Sequence, residues 1–350
     1  RLLTWRPELM WRMAVCGCDQ VGSELVPYLR ERLGASNVIA SDVRVGKNAG
    51  GESDGPFVYC DVRDRQSLAR IVLENRVDCI VHLATVLSAI GERNPDLALA
   101  VNNEGTLNCL NVARDNNLQI FCPSTIAVFG PTTPRGQTPD ITVMEPSTVY
   151  GITKVHLEHL GNYYNARYGL DFRSLRYPGI VSSAAMPGGG TTDYAVEIYY
   201  AALEGRKYTS FIAQDQRMPF LYMPDCLRAT YEMIMAPREK LTRNVYNVTS
   251  MTFSPGMLAE AISKQVPGFE MDCTPDFRQK IATSWPRCLD DSNARRDWGW
   301  MPEFDIDGMT TDMLQALEAK TSASERTAAP AHQQVAGNRG GSSGSAVQTD

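Results

Sequence analysis

Met13-Ala-Val-Cys-Gly-Cys-Asp-Gln-Val-Gly22 is the stretch on which the fold turns. Residues 13–16 form a short apolar run of the length expected for a buried strand. The run passes through Gly17 into 21–33, where apolar residues recur at helical spacing. Pro27 either kinks that helix or lies in its opening turns. The pattern then repeats. Residues 37–41, 57–60, 79–84, 120–124 and 172–177 read as buried strands, and 66–75, 97–115 and 149–168 as the helices between them.

Strands and helices alternating at this length define an α/β fold, a Rossmann-like doubly wound parallel sheet covered on both faces. Ligands of such folds sit at the carboxyl ends of the strands. After Pro178 the alternation loosens. Helices are expected at 193–203, 224–235 and 255–264 and a strand at 245–249, too few strands for a second sheet of the same kind. The expected organisation is an arm at 1–12, a dinucleotide-binding domain at 13–178, a mainly substrate-binding lobe at 179–320 and a low-complexity tail at 321–350. The tail is Ala, Ser, Gly, Thr and Gln, a composition that reads as disordered.

The composition is that of an ordinary globular chain, 43% apolar and 21% charged over 350 residues. A net charge of −6 argues against nucleic acid or an anionic membrane as partner. No apolar run approaches the roughly 18 residues a membrane span requires. The nine cysteines are scattered, with no spacing that resembles a zinc site, so no metal is expected and the thiols read as reduced. Arg1, Arg6 and Arg12 among Leu2, Leu3, Trp5, Leu9 and Trp11 read either as the stump of an Arg-rich transit peptide or as an arm capping the fold.

In a fold of this class the first turn holds a pyrophosphate. It uses glycines for a tight turn, for close approach of the backbone and for helix–strand packing. Gly22 supplies the last and Gly17 part of the first. If the pattern is G-x-x-G-x-x-G ending at Gly22, its first two glycines are replaced by Cys16 and Asp19. Cys16 brings a Cβ where freedom from one is expected. Asp19 brings a carboxylate to a helix N-terminus where a pyrophosphate belongs. Two like charges ~4 Å apart cost roughly 1 kcal/mol in water and about 4 at an effective dielectric of 20. Asp42, twenty residues after Gly22, is placed to bond an adenosine ribose and to favour NAD over NADP, with Arg44 softening that preference. Asp61 is placed for the adenine. Both carboxylates also read as caps of the turns that follow their strands.

Tyr150-Gly-Ile-Thr-Lys154 opens a helix and puts a phenol and an ammonium on one face. The cation stabilises a phenolate, which lets Tyr150 act as a base. Ser124 and Thr125 end the strand before it, at the same edge of the sheet. A third element, Pro187-Gly-Gly-Gly-Thr-Thr-Asp193, runs into a helix. It reads as a carboxylate site made of backbone N–H groups, or as a hinge or plain loop.

These pieces together resemble the extended short-chain dehydrogenase/reductase family, in particular its L-threonine 3-dehydrogenase branch. The resemblance runs from about Met13 to Leu317. It rests on PSTIAVFGP from Pro123, STVYGITKVHLE from Ser147, YGLDFRSLRYPGI from Tyr168, PGGGTTDYA from Pro187, KLTRNVYNVTSMTFSP from Lys240 and SWPRCLDDSNARRDWGW from Ser284. It implies NAD-dependent oxidation of the L-threonine side-chain hydroxyl to 2-amino-3-ketobutyrate. Tyr150 would take the proton, Thr125 and Ser124 would orient the hydroxyl, and Lys154 would hold the nicotinamide ribose. Ser88, Gly190 and Thr191 would meet the amino acid, and Ala84 would join Gly17, Gly22, Asp42 and Asp61 on the cofactor. Asn102 matches a proton-relay position or is a buried amide bonded to backbone. Trp285 and Trp298 read as lobe packing. Members are usually homodimers paired through helices that include 97–115 and 149–168, and eukaryotic members are mitochondrial (matrix). The glycine loop departs from the family at Cys16 and Asp19. That departure fits weakened NAD binding, or a former enzyme kept as a structural subunit of a larger mitochondrial assembly.

Overall fold

The computed structural model describes residues 11–18, 20–44, 54–184, 188 and 190–328. Asp19, Pro187, residues 1–10 of the arm and residues 329–350 of the tail lie outside them.

The first half is built from β1 (Met13–Cys16), α1 (Val21–Leu33), β2 (Val38–Asp42), β3 (Phe57–Tyr59), α2 (Arg65–Asn75) and β4 (Cys79–His82). Then follow α3 (Ser88–Arg93), α4 (Pro95–Leu99), α5 (Gly105–Asp115), β5 (Gln119–Phe121), β6 (Ser124–Thr125), α6 (Val149–Tyr168) and β7 (Asp171–Tyr177). The second half holds β8 (Gly179–Val181), α7 (Tyr194–Leu203), β9 (Tyr208–Ser210), β10 (Met218–Tyr222), α8 (Met223–Met235), β11 (Val245–Asn247) and β12 (Met251–Phe253). It closes with α9 (Pro255–Ser263), β13 (Met271–Cys273), α10 (Phe277–Ser284), α11 (Ser292–Trp298) and α12 (Ile306–Ala328).

Among the described residues the main sheet runs β3-β2-β1-β4-β5-β7-β11, with β6 paired to the upper half of β7. Every pairing in it is parallel. The order reverses between β1 and β4, so the crevice where ligands bind opens beyond Cys16 and His82, which lie side by side in register. Apolar clusters cover both faces, one under α1 and α8 and one under α2, α5 and α6.

Several expectations are corrected here. The strand expected at 245–249 does not belong to the lobe: as β11 it pairs with β7 and completes the large sheet. Its side chains Val245 and Tyr246 are buried on opposite faces, one in each cluster, as an edge strand under two helical layers requires. The helix expected at 97–115 starts at Pro95 and passes through a π-helical segment, Ala100–Glu104. The strand expected at 120–124 is broken into β5 and β6, which keep one register on β7; the break falls at Cys122 and Pro123, where proline has no N–H for the ladder. The tail expected from residue 321 begins inside α12, which continues to Ala328. Leu314 and Leu317 are buried and anchor that helix. Ser, Ala, Glu and Arg then propagate it at little cost once it is nucleated.

Residues of the second half also form two small sheets, β12-β10-β8 and β13-β9, around a separate cluster centred on Tyr194, Phe220 and Phe253. Trp285 packs there, whereas Trp298 packs against the main-sheet cluster under α8. No helix among the described residues is long and apolar enough to cross a membrane.

Candidate active site

The chemistry-bearing residues converge where β6 ends and α6 begins. Thr148 caps α6, its hydroxyl accepting from the Gly151 N–H at 3.1 Å, so the helix starts with Tyr150 in its first turn. Gly151 lets that turn press onto the sheet, since a Cβ there would lie 2.2 Å from the Ala127 carbonyl oxygen. The approach brings the Tyr150 phenol beside the Thr125 hydroxyl. The Thr125 hydroxyl accepts from the Ala127 N–H at 3.2 Å. Lys154, one turn on, is buried and donates to the Pro123 carbonyl at 2.8 Å. Its ammonium stands 5.8 Å from the centre of the Tyr150 ring. Thr125, Tyr150 and Lys154 are thus assembled as the sequence reading expects.

Burial pushes the Tyr150 phenol up to about 12, with the neighbouring Thr125 hydroxyl opposing it. Burial also pulls the Lys154 ammonium down to about 8, while Cys122 and Glu158 hold it up. His82, at the end of β4, is pulled down to about 3 by burial and by Lys154, so it is a neutral ring.

Ser124 does not join them. Its hydroxyl donates to buried Glu158 at 2.6 Å and is turned beneath the site. Its proton is committed to that carboxylate, so toward a substrate the buried hydroxyl keeps only acceptor lone pairs. Asn102 lies in the π-helical segment, where its amide brackets the Val86 backbone, accepting at 2.7 Å and donating at 3.1 Å, and also donates to Thr153 at 3.0 Å. The backbone-bonded reading of Asn102 therefore holds. Its bonds fix the loop after β4 to the helix that carries Tyr150. Ser88, expected in that loop, is the half-buried first residue of α3.

The cofactor turn lies at the carboxyl end of β1. Gly17 has φ +104°, and a Cβ on it would stand 2.5 Å from the Ala84 nitrogen. A Cβ on Gly22 would stand 2.0 Å from the Gly17 carbonyl oxygen. Both glycines are therefore required by contact, and Ala84 is the wall that Gly17 approaches. The strain expected at Cys16 is not there. Cys16 is the last residue of β1, its side chain lies in the core, and burial raises its thiol. The left-handed conformation falls on Gln20 instead, at φ 39°.

The Asp42 carboxylate accepts from the Cys18 N–H at 2.8 Å and from the Arg44 N–H at 3.1 Å, so it braces the glycine turn from β2. Asp61 is gripped by its neighbour Arg63, whose guanidinium stands 2.6 Å away and holds the carboxyl below its usual range. The glycine stretch before α7 is not open in the way expected. The carboxylate of Asp193 accepts from the Gly188 and Gly190 N–H groups, each at 2.7 Å. Thr191, beside them, is buried. A Cβ on Gly188 would lie 3.7 Å from the Gln20 amide nitrogen, so this stretch faces the cofactor turn.

The close-approach glycines Gly17 and Gly22, the N-terminus of α1 that follows them and a strand-end carboxylate fit a dinucleotide. Gly17, Gly22, Ala84 and Asp42 are the residues placed to hold it.

A dehydrogenase of the doubly wound class is what this fold and constellation define. Comparison with known proteins agrees. The model of the NAD dependent epimerase/dehydratase family matches residues 16–249, and the chain belongs to that family. It is 48% identical over 299 residues to the mitochondrial L-threonine 3-dehydrogenase of Bos taurus, covering 85% of this chain and 80% of that one. The crystal structure of L-threonine dehydrogenase from Phytophthora infestans is 54% identical with a TM-score of 0.85, covering 88% of this chain and 99% of the other. The Trypanosoma brucei L-threonine 3-dehydrogenase is 42% identical with a TM-score of 0.85, covering 88% and 97%. A UDP-glucose 4-epimerase from Thermotoga maritima, 21% identical with a TM-score of 0.77, shares the fold.

Proposed function

We propose that this chain oxidises L-threonine at its side-chain hydroxyl with NAD, giving 2-amino-3-ketobutyrate. The observation that carries the reading is the Tyr150 phenol beside the Thr125 hydroxyl, with the buried Lys154 ammonium 5.8 Å from the centre of its ring, at the edge of the sheet where the glycine turn of β1 opens. The relatives named as L-threonine dehydrogenases support the choice of substrate.

Thr125 orients the substrate hydroxyl and Tyr150 takes its proton. Lys154 keeps a positive charge beside the phenol, which offsets the effect of burial on it. Bound NAD supplies the acceptor for the hydride that leaves the substrate carbon. Asp42 is placed for the adenosine ribose hydroxyls and excludes a 2′-phosphate by charge. Ser88, Gly190 and Thr191 are the residues assigned to the amino acid. Asp193, which now occupies the Gly188 and Gly190 N–H groups, must yield them if a substrate carboxylate is to use them. Reduction of NAD on addition of threonine, measured beside the Tyr150→Phe variant, tests this reading.

The chain is assigned to a homodimer through α5 and α6, which leave Leu107, Ile152, Tyr163 and Tyr168 exposed on adjoining helices. Sedimentation of the purified protein as a monomer would remove that assignment. The mitochondrial relatives support a mitochondrial location, read here as the matrix, and protease protection in isolated mitochondria tests it.

A further inference from the structure

The face of α6 that carries Tyr150 and Lys154 has a third member one turn on, Glu158. Its Oε1 accepts from the Ser124 hydroxyl at 2.6 Å and from Arg176 Nε at 2.8 Å. Its Oε2 accepts from the second Arg176 nitrogen at 2.7 Å. Both partners of the ion pair are almost fully buried, at 4% and 2% side-chain exposure. Arg176 also donates to the Asp140 carbonyl at 2.7 Å and to the Asn247 side chain at 3.2 Å. One carboxylate therefore joins α6 to β6, β7 and, through Asn247, β11.

A buried ion pair is a weak source of net stability against an apolar replacement, so stability does not account for this one. Directional bonds do fix positions, however, and reacting groups displaced by about 1 Å can lose about a hundredfold in rate. Ser124 is the residue before Thr125, and Glu158 lies four residues after Lys154.

We propose that Glu158 is a positioning residue of the dehydrogenase site: by clamping Ser124 and Arg176 it sets Thr125 against Tyr150 and keeps a negative charge one turn behind the Lys154 ammonium. The proposal rests on the functional reading above. Around Lys154 stand Glu158 and Tyr150 on its own helix, Cys122 from the end of β5 and His82 from β4. Around Glu158 stand Ser124, Arg176 and Lys154, with Asp140 and Arg243 behind Arg176, paired at 3.3 Å. Among these groups Cys122 and Glu158 favour the charged form of Lys154, and Glu158 is the carboxylate of the two. Glu158→Gln removes that anion and leaves Arg176 uncompensated, and both changes make the ammonium easier to deprotonate.

The test is the full-length Glu158→Gln protein, with folding checked by circular dichroism. Lys154 is titrated by NMR of side-chain-labelled lysine, assigned with a Lys154→Gln variant, and steady-state kinetics are run in parallel. The expected result is a Lys154 midpoint lower by about one pH unit, with kcat down by about tenfold to a hundredfold. The alkaline limb of the rate profile moves to lower pH, a change that loosened packing alone would not produce. A folded variant with the parent's Lys154 midpoint and kcat overturns the proposal. Where Glu158→Gln does not fold, Ser124→Ala decides: it leaves the ion pair intact, and kcat is expected to fall by roughly threefold to tenfold with the Lys154 midpoint unmoved. Undiminished kcat in Ser124→Ala would then overturn it. The lysine titration needs no turnover, so a parent protein inactive on threonine sinks the functional reading while the midpoint still decides the role of Glu158.

Discussion

Thr125, Tyr150 and Lys154 are held from beneath by side chains, whereas at the turn that begins at Gly17 two glycines make backbone approaches too close for a Cβ and the Asp42 carboxylate holds one backbone N–H. At the first place, Glu158, Arg176 and Asn102 bond to the elements that carry the reactive groups. At the second, two glycines sit at distances that admit no Cβ, the Asp42 carboxylate holds one N–H, and Gln20 carries a left-handed backbone. The catalytic end therefore tolerates change at neighbouring surface positions, because its geometry is determined by several bonds at once. At the cofactor end the geometry rests on glycines that admit no Cβ and on the Asp42 carboxylate, so single substitutions there are expected to act directly on binding.

Four substitutions or conditions separate the two regions. Tyr150→Phe removes the base and should lower kcat by about two to four orders of magnitude, with threonine and NAD affinity nearly kept. Calorimetric titration beside steady-state kinetics reads the split, and a variant at a third of parental kcat would remove Tyr150 from its role. Asp19→Gly acts on the other region, at a residue assigned from sequence. It should tighten NAD binding by about one to three decades, the range set by like charges ~4 Å apart at the two dielectric limits. An unchanged dissociation constant would mean that the carboxylate does not face the pyrophosphate.

Gly17→Ala forces a Cβ against Ala84 and a left-handed backbone on alanine, and should cost about 1–3 kcal/mol of stability along with NAD affinity. A thermal melt matching the parent's would show that the turn can rearrange. The smallest effect is on pH. Lys154 keeps its ammonium below about 8 in the ligand-free protein and loses it above. The kcat/KM for NAD, which reports the free enzyme, should therefore fall on the alkaline side of that value. A flat profile from pH 7 to 10, assayed on a protein shown to be folded throughout, would detach Lys154 from the reaction.

Much of this contrast was legible in the sequence. The bounds read for α1 and α6 agree with the helices observed, and each helix ends at a glycine with positive φ, Gly34 and Gly169. The Tyr150–Lys154 pairing followed from helical geometry alone, and its meeting with Thr125 from strand order. What escaped were the facings that depend on partners distant in sequence. Ser124 and Thr125 are adjacent on a two-residue strand, so they point to opposite sides, and nothing local says which one looks into the site. Its spacing from Lys154 put Glu158 on the catalytic face, yet its role depends on Arg176, far along the chain on β7. Cys16 looked like a lost glycine because the motif was counted by spacing, while the structure takes its tight turn one residue later, at Gly17. The return of β11 to the main sheet was hidden because three buried residues carry no signature of which sheet they join. The stretch 187–193 reads from sequence as a carboxylate site of backbone N–H groups, a hinge or a plain loop, and nothing local says that the Asp193 carboxylate itself takes the Gly188 and Gly190 N–H groups.

The direct test of the account is formation of NADH by the purified parent protein with saturating NAD and L-threonine, run beside Tyr150→Phe at the same pH. The account predicts threonine-dependent NADH formation by the parent at least about a hundredfold faster than by the variant. A folded parent protein that makes no more NADH than Tyr150→Phe would contradict it.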